Sequence, residues 1–507
     1  MELPPMIDCV RIVFVASVLF FLLLALLYLS ILNWAMCGTP ADVKKVTQKH
    51  WTKAQVRERY EAIKARPMTI SSIAHKLPPQ LQRRYIVTGG SGLVGGYIVL
   101  LLLARGQPPE SIRIVDFQKP HRNDMVVGPA AEVDFVKTDI SSRAAVAQAF
   151  ARPWHPSVAH LPLTVFHTAA VIVPSDRSEL VSGLCQKVNI DGTRNLIEEA
   201  KAAGADVFVA TSSASITIRP VEFWISPWEL LTKGPRYHAQ VLDESDFWKP
   251  LRPQNEYFAN YSASKAHAER IVCDANSDKM RTGTIRPANA IYGNPIDNII
   301  GGSLAMVIFP SWTPQIAQSY IHAINCAVAH LNMEAVLDPV DSASRPQAGR
   351  PFTVTDPNPP ITNRTLWSMM STLSITTFRT VRIFFPVVVL MAAHVIEWYS
   401  LLPYRYPRFK RIFPPLNNDM KHLKPPLFTI TTHLVANHQG DATRPVSEGG
   451  LGYTGLTTSM DGMIQEVLEW NQEHEGVSRR NRRKYISSVT LAEEIRKLGE
   501  AAMAVGG

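Results

Sequence analysis

The chain has 507 residues, enough for roughly three domains of about 150 residues each. It carries 52 Lys and Arg against 43 Asp and Glu, a net charge of +9, and 46% of its residues are hydrophobic. This composition excludes a collagen-like, low-complexity or wholly disordered protein. The five cysteines form no CxxC pair and no Cys/His cluster, so neither a disulfide framework nor a metal site is expected.

The first predicted element is a membrane anchor. Residues 12–36 are mostly apolar and include no charged side chain, and the run exceeds the roughly 20 residues that cross a bilayer core. It is also too long for the apolar part of a cleaved signal peptide. Basic residues, among them Lys44 and Lys45, follow it, so the positive-inside rule places the following chain in the cytosol. We expect a short lumenal tail at 1–11, a single-pass helix at 12–36 and a linker at 37–82.

A glycine-rich loop follows the linker. After a strand-like run at 84–88, the sequence TGGSGLVG at 88–95 opens an apolar helix pattern. Gly89 permits a tight turn, Gly92 lets the backbone approach a pyrophosphate, and Gly95 lets helix and strand pack closely. The helix N-terminus offers N–H groups and a positive dipole end to phosphates. This context predicts a dinucleotide site.

Strand and helix patterns alternate beyond this loop. A second strand ends at Asp116, where a carboxylate accepts hydrogen bonds from the adenosine ribose and repels a 2′-phosphate. NAD is therefore favoured over NADP, and the nearby Arg122 weakens this preference only slightly. Further strands and helices up to residue 210 predict an α/β fold with a doubly wound parallel sheet. Ala169 and Ala170, small residues at a strand end, would let the cofactor lie flat.

Candidate catalytic residues come next. Ser212 and Ser213 follow the strand over 207–210, and Tyr261 and Lys265 lie four residues apart in a helical stretch. Residues at this spacing share one helix face, so the ammonium of Lys265 can lie beside the phenol.

These motifs together resemble the extended short-chain dehydrogenase/reductases and, more narrowly, the 3β-hydroxysteroid dehydrogenase family with its sterol-4α-carboxylate 3-dehydrogenases. The resemblance covers about residues 83–420 and rests on segments 88–95, 167–170, 188–193, 211–213, 261–265, 285–288, 291–293, 320–330 and 349–356. It implies NAD as the cofactor and Tyr261 as the base, with its pKa pulled toward neutrality by Lys265 and the nicotinamide ring. Ser213, or less favourably Ser212, would donate a hydrogen bond to the substrate oxygen. Further cofactor contacts are expected at Leu93, Val94, Asp139, Ile140, Asn189 and Pro287, and Tyr261 and Lys265 are expected to contact the cofactor as well.

The predicted domains are an NAD-binding Rossmann domain at 83–290, a smaller C-terminal substrate lobe at 291–475 and a basic, solvated tail at 476–507. Segment 320–330 resembles the family's helix near the substrate lobe. An insertion at 217–255 carries Trp224, Trp228, Phe247 and Trp248. It is interpreted as a lid over an apolar substrate, another membrane contact or a surface insertion packed on the domain. The apolar run 383–402 contains His394 and Glu397, which are costly inside a bilayer, so an interfacial helix, a core helix and a second span all remain open.

The resulting hypothesis is an NAD-dependent 3β-hydroxysteroid or sterol dehydrogenase on the endoplasmic reticulum membrane. Its catalytic domain would be cytosolic and its substrate a sterol or triterpenoid, with decarboxylation left open. The alternatives are a dehydrogenase of another terpenoid or lipid alcohol, a nucleotide-sugar epimerase and an inactive NAD-binding scaffold. No nucleic-acid partner is expected, and a homodimer or a sterol-pathway complex stays open.

Overall fold

The computed structural model describes residues 5–295, 297–306, 308–414, 416 and 418–476. Apart from Gly476, the predicted basic tail lies outside these residues. The strands are, in chain order, β1 (Arg84–Thr88), β2 (Ile112–Asp116), β3 (Asp134–Lys137), β4 (Leu163–His167), β5 (Ala205–Thr211), β6 (Ala239–Leu242), β7 (Arg281–Pro287), β8 (Ile291–Tyr292), β9 (Ile308–Ser311), β10 (Ala317–Gln318), β11 (Ile321–His322), β12 (Pro351–Val354), β13 (Ile361–Thr362), β14 (Arg379–Arg382) and β15 (His433–Ala436).

The helices connect these strands and extend beyond them at both ends of the chain. They are α1 (Pro5–Met36), α2 (Ala41–Val46), α3 (Lys53–Ala65), α4 (Ile70–Ile73), α5 (Leu93–Ala104), α6 (Arg143–Ala151), α7 (Gly183–Cys185), α8 (Gly192–Ala202), α9 (Pro227–Lys233), α10 (Asn260–Asp274), α11 (Gly301–Ala305), α12 (Ala323–Leu337), α13 (Asn363–Leu373), α14 (Pro386–Arg405), α15 (Asn418–Lys421), α16 (Pro425–Ile430) and α17 (Ser459–His474).

The central sheet has seven parallel strands in the order β12-β7-β5-β4-β1-β2-β3. Strands β1, β4 and β5 are buried along nearly their whole length, because helices cover both faces of the sheet. Val87 packs with Ile98 of α5 and Leu331 of α12 on one face, and Ile86 packs with Leu196 of α8 on the other. The strand order reverses between β1 and β4, which leaves a crevice at the carboxyl ends. The predicted doubly wound parallel sheet is confirmed.

The edge of this sheet differs from the predicted domain boundary at residue 290. Strand β12 pairs with β7, and α12 packs on α5 and the sheet, so both belong to the sheet domain although they were expected in the substrate lobe. Two parallel strands require a crossover connection, and α12 lies in that connection. Segment 320–330, expected near the substrate lobe, therefore ends in a helix that covers the central sheet.

A smaller sheet, in the order β13-β10-β15-β6, joins the C-terminal part of the chain to the insertion at 217–255. The insertion contributes β6 to this sheet and α9 to a contact with α1.

Two helices within the described residues are long and apolar enough to cross a membrane, α1 and α14. Residues 10–27 of α1 are exposed throughout, whereas Leu32, Ala35 and Met36 at its end are buried against the body. Helix α14 instead has one buried face and one exposed face.

Candidate functional site

The glycine loop lies between the carboxyl end of β1 and the start of α5. Gly89 has a φ of +73°, and a Cβ on it would lie 2.6 Å from the Ala169 backbone nitrogen at the end of β4. A Cβ on Gly95 would lie 2.3 Å from the Gly89 carbonyl oxygen. Gly92 caps α5 and offers no side chain to its first N–H groups, which belong to Leu93 and the residues after it. The loop therefore has the close backbone packing and the donors that a pyrophosphate requires.

Asp116 lies beside this loop at the end of β2. Its carboxylate accepts hydrogen bonds from the backbone N–H groups of Ser91 at 3.0 Å and Gln118 at 3.2 Å, and burial raises its pKa. Arg122 is buried, forks onto Asp124 and donates to the Leu93 carbonyl oxygen at 3.1 Å. Because its guanidinium is engaged beneath the loop, Arg122 is not placed to receive a 2′-phosphate.

The ends of β3 and β4 hold further residues expected at the cofactor. The Asp139 carboxylate accepts from the Ser141 N–H at 2.9 Å, and Ile140 packs against Gly192 of α8. Ala169 and Ala170 are half-buried directly after β4. These residues line the same carboxyl edge of the sheet as Asp116.

Asn189 joins this edge to the helix that carries the candidate base. It is buried in a π-helical turn, accepts from the Val171 N–H at 2.8 Å and donates to the Ser264 hydroxyl at 2.9 Å. Ser264 precedes Lys265 on α10. Asn189 thus positions α10 against the end of β4.

The candidate catalytic residues meet at the carboxyl end of β5. Lys265 is buried, and its ammonium donates to the Thr211 carbonyl oxygen at 2.6 Å. Ser213 follows two residues later. Its hydroxyl donates to the Ser215 hydroxyl at 2.8 Å and lies near enough to the phenol of Tyr261, one turn before Lys265 on α10, to lower the pKa of that phenol. Pro287, expected at the cofactor, ends the neighbouring strand β7 and is buried. The structure thus brings Ser213, Tyr261 and Lys265 together two strands from the glycine loop.

The electrostatics of this group differ from the expectation in one respect. Burial raises the pKa of Tyr261 to about 12, and the neighbouring Ser213 hydroxyl only partly opposes it, whereas the expectation was a pKa near neutrality. The prediction counted two positive charges. Lys265 does not lower the pKa of this phenol in the structure, and the nicotinamide ring belongs to the bound cofactor and not to the chain. Burial also lowers the pKa of Lys265 to about 8, against the opposing charge of Glu269.

Sequence reasoning missed a buried ionic group beneath the site. Arg286 of β7 forks onto Glu269 at 2.6 and 2.8 Å, and the Ser212 hydroxyl donates to the same carboxylate at 2.5 Å. Ser212 is therefore engaged in holding α10 to the sheet, which leaves Ser213 as the serine beside Tyr261. The signal in the sequence was Glu269, placed one helical turn after Lys265, together with an arginine in a buried strand.

A second missed contact supports Thr211 from behind. His330 of α12 hydrogen-bonds the Thr211 hydroxyl at 2.8 Å through Nε2 and the Cys326 carbonyl at 2.7 Å through Nδ1. Burial lowers its pKa to about 4, so the ring is neutral near pH 7. His330 thereby holds Thr211 in place, and the Thr211 carbonyl oxygen accepts the hydrogen bond from the Lys265 ammonium.

Residues 86–222 match the model of the 3-beta hydroxysteroid dehydrogenase/isomerase family, and residues 163–328 match a NAD-binding model described as male sterility protein. The human 3 beta-hydroxysteroid dehydrogenase type 7 is 30% identical over 216 residues, 41% of this chain and 50% of that protein. The human decarboxylating sterol-4-alpha-carboxylate 3-dehydrogenase is 31% identical over 226 residues, 44% of this chain and 48% of that protein. Its Schizosaccharomyces pombe counterpart is 25% identical over 272 residues, 53% of this chain and 68% of that protein.

The chain thus spans about half the length of the two human relatives. The first family match confirms the predicted resemblance to the 3β-hydroxysteroid dehydrogenase family. The match to the NAD-binding model confirms NAD as the predicted cofactor. Among solved structures, the UDP-glucose-4-epimerase from Stenotrophomonas maltophila with bound NAD has a TM-score of 0.51 at 14% identity, covering 78% of this chain and 100% of that chain. That likeness shows the shared fold.

Proposed function

We propose that the chain is a membrane-anchored, NAD-dependent dehydrogenase that oxidises the 3β-hydroxyl of a sterol or triterpenoid to a ketone. The observation that carries this proposal is the meeting of Ser213, Tyr261 and Lys265 at the carboxyl edge of the sheet that also holds the glycine loop. The names of the sequence relatives support the substrate class. Helix α1, apolar and exposed over residues 10–27, supports the membrane anchor, and the basic residues that follow it support a cytosolic body. The endoplasmic reticulum is the membrane that we propose for it.

The residues present fit NAD for two reasons. Gly89 and Gly95 lie so close to neighbouring atoms of the loop and of the end of β4 that there is no space for a side chain at either position, and no side chain accepts hydrogen bonds from the first N–H groups of α5. Those groups would hold the pyrophosphate and Asp116 the adenosine ribose. When bound, NAD supplies the hydride acceptor.

Tyr261 takes the proton of the alcohol, and Ser213 donates a hydrogen bond that holds the alcohol oxygen. A phenol with a pKa of about 12 is a poor base at neutral pH, so positive charge must lower that pKa when the substrate reacts. Lys265, one turn along α10, is the cationic side chain that would supply part of this charge in the complex with cofactor and substrate, although its ammonium is bound by the Thr211 carbonyl oxygen in the structure. The Thr211 carbonyl and Asn189 keep the helix and the ammonium in place.

Decarboxylation is a separate part of the proposal. Oxidation beside a 4α-carboxylate gives a β-keto acid, which loses carbon dioxide without further catalytic groups. The names of the decarboxylating relatives support this reading.

The test uses the full chain in phospholipid vesicles with a neutral 3β-hydroxysterol, a 4α-carboxysterol or a 3α-hydroxysterol, and NAD or NADP. We expect NAD reduction with a 3β-alcohol, little reduction with the 3α-alcohol, and release of carbon dioxide with the carboxysterol alone. Absence of NAD reduction with every 3β-alcohol, while NAD still binds, would instead favour the inactive scaffold.

A further inference from the structure

A cavity of about 350 Å³ lies between the insertion, α14 and the start of α16. This volume falls within the range of about 300–1,000 Å³ that small-molecule sites occupy. Apolar groups form about half of its wall, from side chains that include Val221, Phe223, Trp224, Phe258 and Leu390, and polar groups form the rest.

Polar side chains in and next to this wall are paired with one another. The Trp224 indole donates to His394 Nε2 at 3.2 Å, and the Arg177 guanidinium forks onto Glu397 at 2.7 and 2.8 Å. His394 and Glu397, which are costly in a bilayer, therefore have partners on the body of the protein. A cavity whose charges are already balanced suits an apolar ligand.

The cavity adjoins the candidate catalytic helix. Phe258 in its wall lies three residues before Tyr261. Arg177 is also in the wall, and Asp176 directly precedes it. The backbone carbonyl of Asp176 accepts a hydrogen bond of 2.7 Å from the N–H of Asn260, the first residue of α10. The Asp176 carboxylate also pairs with Lys424 at 2.6 Å, directly before α16. One loop therefore forms the cavity wall and holds the first turn of the helix with Tyr261.

The opposite side of the cavity adjoins the anchor. Phe223 and Leu390 pack in one apolar cluster with Leu32 near the end of α1. The Tyr28 hydroxyl donates to the Ile225 carbonyl oxygen at 2.9 Å, and its ring stacks on Trp224 with centroids 6.4 Å apart. Tyr28 directly follows the exposed part of α1, and Tyr and Trp favour the level of the lipid headgroups. The cavity thus lies where the anchor meets the body.

We propose that this space, the access cavity, is the route by which an apolar polycyclic alcohol passes from the bilayer to Tyr261. The proposal rests on the proposed function and deepens it by naming the path of the substrate. The insertion and α14 are the two walls, joined by the Trp224–His394 bond. The Arg177–Glu397 pair joins α14 to the loop after β4, which holds the first turn of α10. These two contacts stretch or break as a sterol enters.

The test measures binding of dehydroergosterol, a fluorescent sterol, to the full chain in phospholipid vesicles by energy transfer from tryptophan. The variant Leu390→Trp fills the cavity, and Val388→Trp, its matched control, adds the same bulk on the exposed face of α14, where Val388 is 59% exposed. Because tryptophan is both the added bulk and the energy donor, binding is also measured by competition with unlabelled sterol. A second filling variant, Val221→Phe, adds no tryptophan.

We expect both filling variants to weaken sterol binding at least tenfold and to raise the KM for the sterol equally. NAD affinity should be unchanged, which also shows that the sheet domain remains folded, and Val388→Trp should match the wild type. Unchanged sterol binding in a filling variant that still binds NAD would overturn the access cavity. A third outcome separates the two proposals. If the filling variants block sterol binding but the wild type reduces NAD with no 3β-alcohol, the access cavity is supported and the proposed function is contradicted.

Discussion

The catalytic edge of the sheet and the membrane side of the protein are built in different ways. At the catalytic edge, Tyr261 and Lys265 are one helical turn apart, and the glycines of the loop repeat every three residues, so short motifs carry the chemistry. On the membrane side, contacts join distant parts of the chain, such as Tyr28 with Ile225 and Arg177 with Glu397. The difference indicates that the catalytic step and the entry of the substrate depend on separate sets of residues. A mutation in one region should therefore change its own step and leave the other step unchanged.

The largest expected effect is on turnover alone. Tyr261→Phe removes the proton acceptor and should lower kcat by about 10²–10⁴-fold, the usual contribution of general acid–base catalysis. NAD affinity, measured by calorimetry, should change less than twofold. Tyr257→Phe changes a buried tyrosine four residues earlier, before α10 begins; it is the matched control and should keep normal turnover. Normal turnover in Tyr261→Phe would remove it from the site.

The next effect is on the cofactor. A Cβ at residue 95 would lie 2.3 Å from the Gly89 carbonyl oxygen, so Gly95→Ala should weaken NAD binding about 100-fold or more. Overpacking of this kind costs about 1–3 kcal/mol of folding free energy as well, which thermal unfolding would detect. Gly183→Ala, where an added Cβ meets no atom within 4 Å, is the control. Equal NAD affinity in the two variants would show that the loop is not the cofactor site.

A smaller effect is expected on cofactor preference. Asp116→Ala removes the carboxylate that would bind the ribose and repel a 2′-phosphate, so the NAD/NADP ratio of kcat/KM should fall about tenfold, or roughly 1.4 kcal/mol. Asp191→Ala, an exposed aspartate that pairs with Arg194, should leave the ratio unchanged. An unaltered ratio in Asp116→Ala would place the ribose elsewhere.

The pH dependence of NAD binding should change by a few-fold. Burial lowers the pKa of Lys265 to about 8, so the ammonium is present below that pH and is lost as the pH rises through it. NAD affinity should therefore fall between pH 7 and 9 in the wild type. Lys265→Met should bind NAD weakly and equally at both pH values. A pH-independent wild type would mean that the ammonium does not contribute to the cofactor site.

The smallest effect concerns the membrane side. Glu397→Gln removes one charge of the Arg177 pair, which is only partly exposed, and should cost about 1 kcal/mol or less of folding free energy. The KM for the sterol should change by less than about threefold and kcat for the chemical step should not change. A large fall in kcat would show that the two regions are coupled.

The sequence was sufficient to predict β1 to β5 of the central sheet, because each is a short, largely apolar run bounded by turns and the strands alternate with helices. It was also sufficient to pair Tyr261 with Lys265, since helical spacing is local. It could not place α12 on the sheet or find the Glu269–Arg286 pair, because both depend on which strands become neighbours. It also could not show how strongly burial raises the pKa of Tyr261, since burial arises from the packing of the whole chain.

The measurement that bears most directly on the central claim follows one hydrogen atom. A sterol carrying deuterium at the 3α position is incubated with the full chain in vesicles and NAD, and the reduced cofactor is analysed by mass spectrometry. We expect deuterium to appear in the reduced cofactor in equal amount to the 3-ketone formed, and Tyr261→Phe to nearly abolish both products. Formation of the ketone without deuterium in the cofactor, or equal transfer by Tyr261→Phe, would contradict the proposed mechanism.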